Sequence, residues 1–295
     1  MDEEDEMNKV DCFIPCCLKD NLKLELSIKS VAENFQELGD VVVSMPDKGD
    51  MQDYEIDGHK VKFFNDFEVL PIPNAFSMIR FRKGWIFQQL LKLLQQNTTT
   101  PDVLVWDADC FMTKPFSAYD NGKLKLLSQP NPKDDAGFER WLARCTGGEL
   151  GTWTRERYCK TKYIADKSLF RRQWIWEAVL RYFPDVNEFV KFVIDTAFWT
   201  RDHQDCSILI SEYEWYGRFV ERFHSDDVVV SMHTRRQIDK FQMWQEGNEG
   251  LWAKEELEKL IEETKKDSSY DCLKLQTNCP TTTKKYAGYD GIITV

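Results

Sequence analysis

The sequence lacks any apolar run of about 18 residues, so it encodes no transmembrane helix. It also lacks a basic and apolar opening. Met1-Asp2-Glu3-Glu4-Asp5-Glu6 cannot serve as a secretory signal. Positive charge is in deficit: 39 Lys and Arg face 50 Asp and Glu, for a formal net charge of -11. That balance argues against a nucleic acid gripped through its phosphates. Paired metal-ligand spacing is missing as well. The 9 cysteines, at 12, 16, 17, 110, 145, 159, 206, 272 and 279, are odd in number and scattered. Such usage favours reduced thiols over a disulfide framework, and the expected compartment is the cytoplasm. Cys12, Cys16 and Cys17 crowd one segment, but no second Cys/His pair completes a zinc finger. There is no internal repeat and no low-complexity tract. Without a secretory route, the sequon at Asn97-Thr98-Thr99 is expected to end a helix rather than carry a glycan.

What is present is aromatic. Trp, Tyr and Phe make up 13% of 295 residues, enough to exclude a disordered chain and to fill one large core. The apolar run Val103-Leu104-Val105-Trp106, opened by Pro101-Asp102, reads as a buried strand. It stops at two carboxylates, Asp107 and Asp109. In open α/β sheets ligands bind outside the carboxyl ends of the strands. Two acids there make a hard oxygen site suited to Mg²⁺ or Mn²⁺. With the cation in place, the same site attracts a pyrophosphate and neutralises it as it leaves. The alternative is that Asp-x-Asp merely caps the strand or begins a turn.

The rest of the chain fits an α/β domain. Val10 to Cys17 reads as a strand, Leu22 to Phe35 as a helix ending near Gly39, and Val41 to Val43 as a second strand. That opening implies a parallel sheet. A third strand covers Val61 to Phe64, and residues 65–78 read as loop. A helix from Trp85 to Gln96 carries the stripe Ile86, Leu90, Leu93 and Leu94. Trp85, Gln89, Lys92 and Gln96 share its other face, which is either solvated or turned to a ligand. Leu124 to Leu127 is a candidate strand. Further helices are expected at Ser168–Phe183, with Leu169, Trp176 and Leu180 on one side, at 202–210, from Ser211 and at Trp252–Lys266. Val228 to His233 is the last strand. Residues 1–9 form an acidic tail, 10–266 one domain, and 267–295 a polar extension, part of it disordered.

The Asp107-Ala108-Asp109 turn and the Phe111-Met112-Thr113-Lys114-Pro115-Phe116 after it carry a family likeness. They resemble the Asp-x-Asp motif of nucleotide-sugar glycosyltransferases with the GT-A fold. The likeness extends more weakly over 10–245. It is similar to a little-characterised group of such proteins in bacteria and large DNA viruses. It implies a Rossmann-like, mostly parallel central sheet flanked by helices. Residues 10–115 would bind the nucleotide and 116–245 the acceptor. The implied reaction is metal-dependent transfer of a sugar from a nucleoside diphosphate, UDP most commonly, to a glycan hydroxyl, with inversion expected. By the same likeness Asp107 and Asp109 hold Mn²⁺ or Mg²⁺, Asp107 also reaches the ribose, and His233 adds a metal ligand. Lys19 and Asp20 would meet the nucleobase or ribose. Arg80 and Lys83 would contact phosphate, and Gln89 a nucleotide or sugar group. Arg235 and Arg236 would serve the diphosphate, for which arginine's planar fork is suited. Each has a plainer alternative, His233 closing a strand and the arginines lying solvated in a loop.

An inverting transferase needs a general base on the acceptor. Two acids stand in Ser211-Glu212-Tyr213-Glu214-Trp215-Tyr216-Gly217, an element the resembled group also carries. Ser211 and Glu214 fit a capping box, a structural part. Glu212 does not, which makes it the candidate base. Tyr213, Trp215 and Tyr216 could stack on sugars or fill the core. Asp195, inside an apolar run, is either a buried turn residue at a strand end or the alternative base. Two other functions use the same features. A haloacid-dehalogenase-like phosphohydrolase also has Asp-x-Asp after a strand, but wants Thr or Val where Phe111 stands and an N-terminal motif. A catalytically silent sugar- or nucleotide-binding module would be marked by loss of the acidic pair, which is intact.

Overall fold

The computed structural model describes residues 9–17, 20–70, 83–130, 136–151, 161–163, 167–199, 210–241, 254–278, 284–285 and 292–293. Strand β1 (Val10–Pro15) is buried along its whole length, as a continuous apolar run dictates for a strand covered on both faces. Helix α1 (Asn21–Asn34) returns to β2 (Leu38–Met45), which runs parallel to β1 with Cys12, Phe13 and Ile14 opposite Val41, Val42 and Val43. Strands β3 (Tyr54–Ile56) and β4 (His59–Asn65) form a hairpin. Its turn residues Asp57 and Gly58 have φ of 49° and 84°, the left-handed pair that an Asp-Gly hairpin turn requires. Asn65 and Glu68 then make a capping box around the single turn α2 (Asp66–Val69), inside the segment expected to be all loop.

Helix α3 (Lys83–Leu94) leads to β5 (Asp102–Trp106), followed by β6 (Cys110–Met112), β7 (Tyr119–Asp120) and β8 (Lys123–Pro130). Next come α4 (Ala136–Cys145), β9 (Thr161–Lys162), β10 (Lys167–Arg171), α5 (Arg172–Tyr182) and α6 (Val186–Trp199). The last elements that bear on the site are α7 (Glu212–Phe223), β11 (Val228–Met232), β12 (Arg235–Phe241), α8 (Lys254–Lys266) and β13 (Cys272–Asn278). The central sheet has six strands in the order β10-β5-β1-β2-β4-β3. Strands β5, β1, β2 and β4 are parallel, and the two edge strands run antiparallel. The fold is therefore α/β, a mostly parallel sheet flanked by helices.

Asp11, at the start of this sheet, is 2% exposed. Its carboxylate accepts the backbone N–H groups of Thr99 at 2.6 Å and Asp40 at 2.8 Å. It thereby ties the entry of β5 to β2, and its burial is offset by these charge-assisted bonds.

Three expectations are corrected. Ser168 to Arg171 is not helix but the edge strand β10, paired to β5, and the helix starts at Arg172. The shifted start moves the buried face to Trp174, Ile175, Ala178 and Val179, leaving Trp176 and Leu180 exposed. The apolar segment around Asp195 is helix α6, with Phe189, Val190, Val193 and Ile194 buried at helical spacing. Asp195 is on its exposed side, not buried at a strand end. Third, the polar extension after Lys266 contains β13, which lies between β12 and β6 with Leu273 and Leu275 fully buried. The expected helix at 202–210 and most of the acidic tail lie outside the described residues.

Burying each of Leu273 and Leu275 is worth about 1.5–3 kcal/mol. A chain truncated after Lys266 is expected to unfold roughly 5–10 °C lower than the full chain, given the usual scaling of midpoint with stability. An unchanged calorimetric midpoint would show that β13 contributes nothing.

Candidate active site

Asp107 is the first residue beyond β5. Its carbonyl accepts the N–H of Cys110 at 3.0 Å, so Asp107, Ala108 and Asp109 form the turn that leads into β6. The carbonyl of Asp109 accepts the N–H of Leu275 at 2.9 Å, which ties β13 to the same turn. Both acids thus stand at the carboxyl edge of a central parallel strand.

Lys92 of α3 reaches this edge from one side. Its Nζ lies 2.8 Å from Asp107 Oδ1 and 2.9 Å from Glu212 Oε1, with the Tyr213 ring centroid 4.5 Å away. Gln89, one turn earlier on α3, lies against the Glu212 carboxylate, and its amide nitrogen donates to it once the side-chain amide is turned over. Tyr213 donates from its hydroxyl to Asp107 Oδ1 over 3.4 Å. From the other side Lys274 of β13 places its Nζ 3.4 Å from Asp107 Oδ2 and 3.8 Å from Asp109 Oδ1. Lys23 of α1 pairs with Asp20 at 2.5 Å and donates to the Leu275 carbonyl at 3.1 Å.

Local sequence explains these placements. Gln89 and Lys92 sit at i and i+3 on α3, so they share a face. Each is 3% exposed, which makes this polar stripe a buried one. Ser211 caps α7, its Oγ accepting the N–H of Glu214 at 3.2 Å, and so fixes Glu212 in the first turn. Glu214 does not complete a capping box. Its carboxylate accepts the N–H of Tyr163 at 2.8 Å and pairs with Arg218 at 2.7 Å. Gly217 lets α7 approach Tyr163, since a Cβ there would fall 2.1 Å from the ring.

Among the described residues four carboxylates, Asp20, Asp107, Asp109 and Glu212, face three ammonium groups, Lys23, Lys92 and Lys274. Burial opposes ionisation of Asp107, but Lys92 and Lys274 outweigh it and hold its pKa down at about 2. Asp109 goes the other way: burial, with Asp20 and Asp107 beside it, raises its pKa against the pull of Lys274. Burial also raises Glu212, against Lys92. The deficit of positive charge therefore falls at Asp109. A hard divalent cation there would take its protein oxygen ligands from Asp109 and Asp107. Among the described residues no third His, Cys, Asp or Glu joins them. Water and substrate phosphate oxygens would complete the shell, as such cations prefer.

Of the other residues singled out from the sequence, Asp20 stays beside this set of charges and the rest are dispersed. His233 is buried with Nε2 3.3 Å from Cys272 Sγ and Nδ1 3.8 Å from Asp271, and the structure groups it with those two. Burial and nearby Lys167 push its pKa down to about 2, so it is neutral. Arg236 turns to α8, within 3.3 Å of Thr264 Oγ1 and 4.0 Å of Glu263. Arg235 opens β12 opposite Cys272. Asp20 is engaged by Lys23 and accepts from Cys17 Sγ at 2.9 Å. Lys83 begins α3. Lys19 and Arg80 lie outside the described residues. Lys274 is the functional side chain that the sequence reading passed over. Leu273 and Leu275 alternating with Lys274 and Gln276 is a period-two strand signal, and a lysine on it has an apolar neighbour on either side.

Removing Lys92 leaves Glu212 buried, and the half-buried Asp107 beside it, without their shared cation. Breaking a buried ion pair from one side costs about 3–5 kcal/mol. Lys92→Met is expected to lose stability on that scale in urea unfolding, and Lys92→Met/Glu212→Met to recover part of it. A single variant as stable as the parent would contradict the arrangement.

No protein-family model matches the sequence, and no curated protein matches it. Among solved structures the chain is similar to the crystal structure of mouse xyloside xylosyltransferase 1 in its apo form, at 8% sequence identity and a TM-score of 0.43. That match covers 90% of this chain and 97% of the mouse chain, a likeness too slight to carry an argument about chemistry.

Proposed function

We propose that this chain is a divalent-cation-dependent glycosyltransferase of the GT-A type. It would move a sugar from a nucleoside diphosphate, UDP first among candidates, to a glycan hydroxyl. The observation that carries this reading is the Asp107–Asp109 turn at the carboxyl end of a central parallel strand, with Asp109 short of positive charge. Asp107 and Asp109 would hold Mn²⁺ or Mg²⁺. Bound there, the cation would supply charge for the departing diphosphate. Lys274 adds a fixed ammonium beside both acids, which helps bind the same phosphates and needs no reorganisation as charge develops. Lys92, Tyr213, Glu212 and Gln89 form the enclosed floor that orients Asp107.

This arrangement alters the part assigned to Glu212. It is 2% exposed and engaged by Lys92 and Gln89. A base must reach the proton it takes. Enclosure therefore favours Glu212 as a positioning residue for Lys92 and Asp107. It could act as the base of an inverting transfer only after both partners let go. Asp195 lies on the exposed side of α6 and, among the described residues, is not joined to this set of charges. A reducing compartment is in keeping with the six described cysteines, none of which is in a disulfide. No helix among the described residues is long and apolar enough to cross a membrane.

Two measurements test the proposal. Calorimetry should show UDP binding strengthened sharply by Mn²⁺, with that gain lost in Asp109→Ala while its thermal unfolding stays cooperative. Equal UDP affinity in excess chelator would overturn the metal site. For Glu212→Gln, turnover should fall while the acidic limb of the pH–rate profile keeps its position. A fall of about 10²–10⁴-fold with loss of that limb would restore Glu212 as the base.

A further inference from the structure

Successive residues at the end of β5 point to opposite sides. Asp107 meets Lys92, whereas Trp106 donates from Nε1 to Ser27 Oγ of α1 at 2.9 Å. On the Trp106 side lies Lys167, the first residue of β10 and the partner of Trp106 in the sheet. Lys167 is 1% exposed. Among the described residues its ammonium makes no hydrogen bond and no ion pair. It rests 4.4 Å from the Phe116 ring centroid and 5.7 Å from that of Trp106. Two aromatic faces offset only part of the cost of burying a charge.

Lys167 lines a partly open cavity of about 120 Å³, together with Lys114, Phe116, Lys125, His233 and Asp271. Lys125 lies 5.4 Å from the centroid of the same Phe116 ring, so one ring serves two cations. Asp271, the acidic residue of the lining, is occupied by Thr234, accepting its N–H and its hydroxyl at 2.9 Å each. The cavity thus gathers three lysines around one engaged carboxylate. Burial lowers the pKa of Lys167, a strain that an anion beside it would relieve.

We propose that this cavity binds a tetrahedral oxyanion, a phosphate or sulfate group, between Lys167, Lys125 and Lys114. Charge-assisted hydrogen bonds to such a group would supply Lys167 with the partner it lacks. The site is separate from the Asp107–Asp109 turn and does not depend on the metal. The group could arrive as a free ion or as an ester on a sugar.

Calorimetric titration of the full chain with sodium phosphate and sodium sulfate tests this, at constant ionic strength and with chelator present. Saturable binding is expected, weakened about tenfold or more in Lys167→Met, which removes a charged hydrogen-bond donor. Lys125→Met, on the cavity wall, should weaken it as well. Lys167→Met should fold, because a neutral side chain of similar length replaces an unpaired buried charge. Its thermal midpoint should no longer rise with phosphate, as that of the parent should. Glucose 6-phosphate distinguishes the sources. Affinity about tenfold above that of phosphate assigns the group to a sugar ester, and equal affinity assigns it to the free ion. Absence of saturable binding, or equal affinity in the parent and in Lys167→Met, would overturn the proposal.

Discussion

The site depends on one buried ammonium. Lys92 lies between Asp107 at the end of β5 and Glu212 in the first turn of α7. Each of these groups would be costly to enclose alone, by several kcal/mol. Together they hold helix α3, the edge of the central sheet and helix α7 in one relation. Lys274 repeats the device on the other side of Asp107, bringing in β13. The acids are therefore set in place by the fold before any ligand arrives.

Much of the scaffold was legible in the sequence, and for a physical reason. Val10–Pro15, Val41–Val43 and Val103–Trp106 are continuous apolar runs, and a strand buried on both faces needs such runs. The α3 stripe and the turn at Asp107 were likewise plain. What stayed hidden is what only tertiary contact decides. Lys167–Arg171 has no pattern that separates an edge strand from the first turn of the following helix, and pairing with β5 settles it. Gln89 and Lys92 look like a solvated face because a lysine is ordinarily solvent-facing; two carboxylates brought in from elsewhere in the chain, Asp107 and Glu212, make it a buried one. Glu214 matches a capping box letter for letter, yet Tyr163 and Arg218 take its carboxylate. The strand at Lys274 is short and lies in polar surroundings, where a two-residue period is easily taken for a loop.

Two buried lysines, one on α3 and one on β10, show how far environment governs the same side chain. Lys92 is surrounded by carboxylates, which raise its pKa despite burial. Lys167 has two aromatic rings and other cations, and burial lowers its pKa. One is a fixed charge that completes a set; the other is a charge in want of a partner. The backbone alternation of β5 keeps the two environments apart.

The position of Lys274 in the chain has a consequence for synthesis. Its contact with Asp107 spans 167 residues. During translation the acidic turn leaves the ribosome long before the strand that neutralises its outer side. Until residue 274 emerges, the growing polypeptide carries the uncompensated charge of Asp109 at the edge of a sheet otherwise ready to form. The lysine that closes this side of the acidic turn is therefore added only after most of the chain has been made.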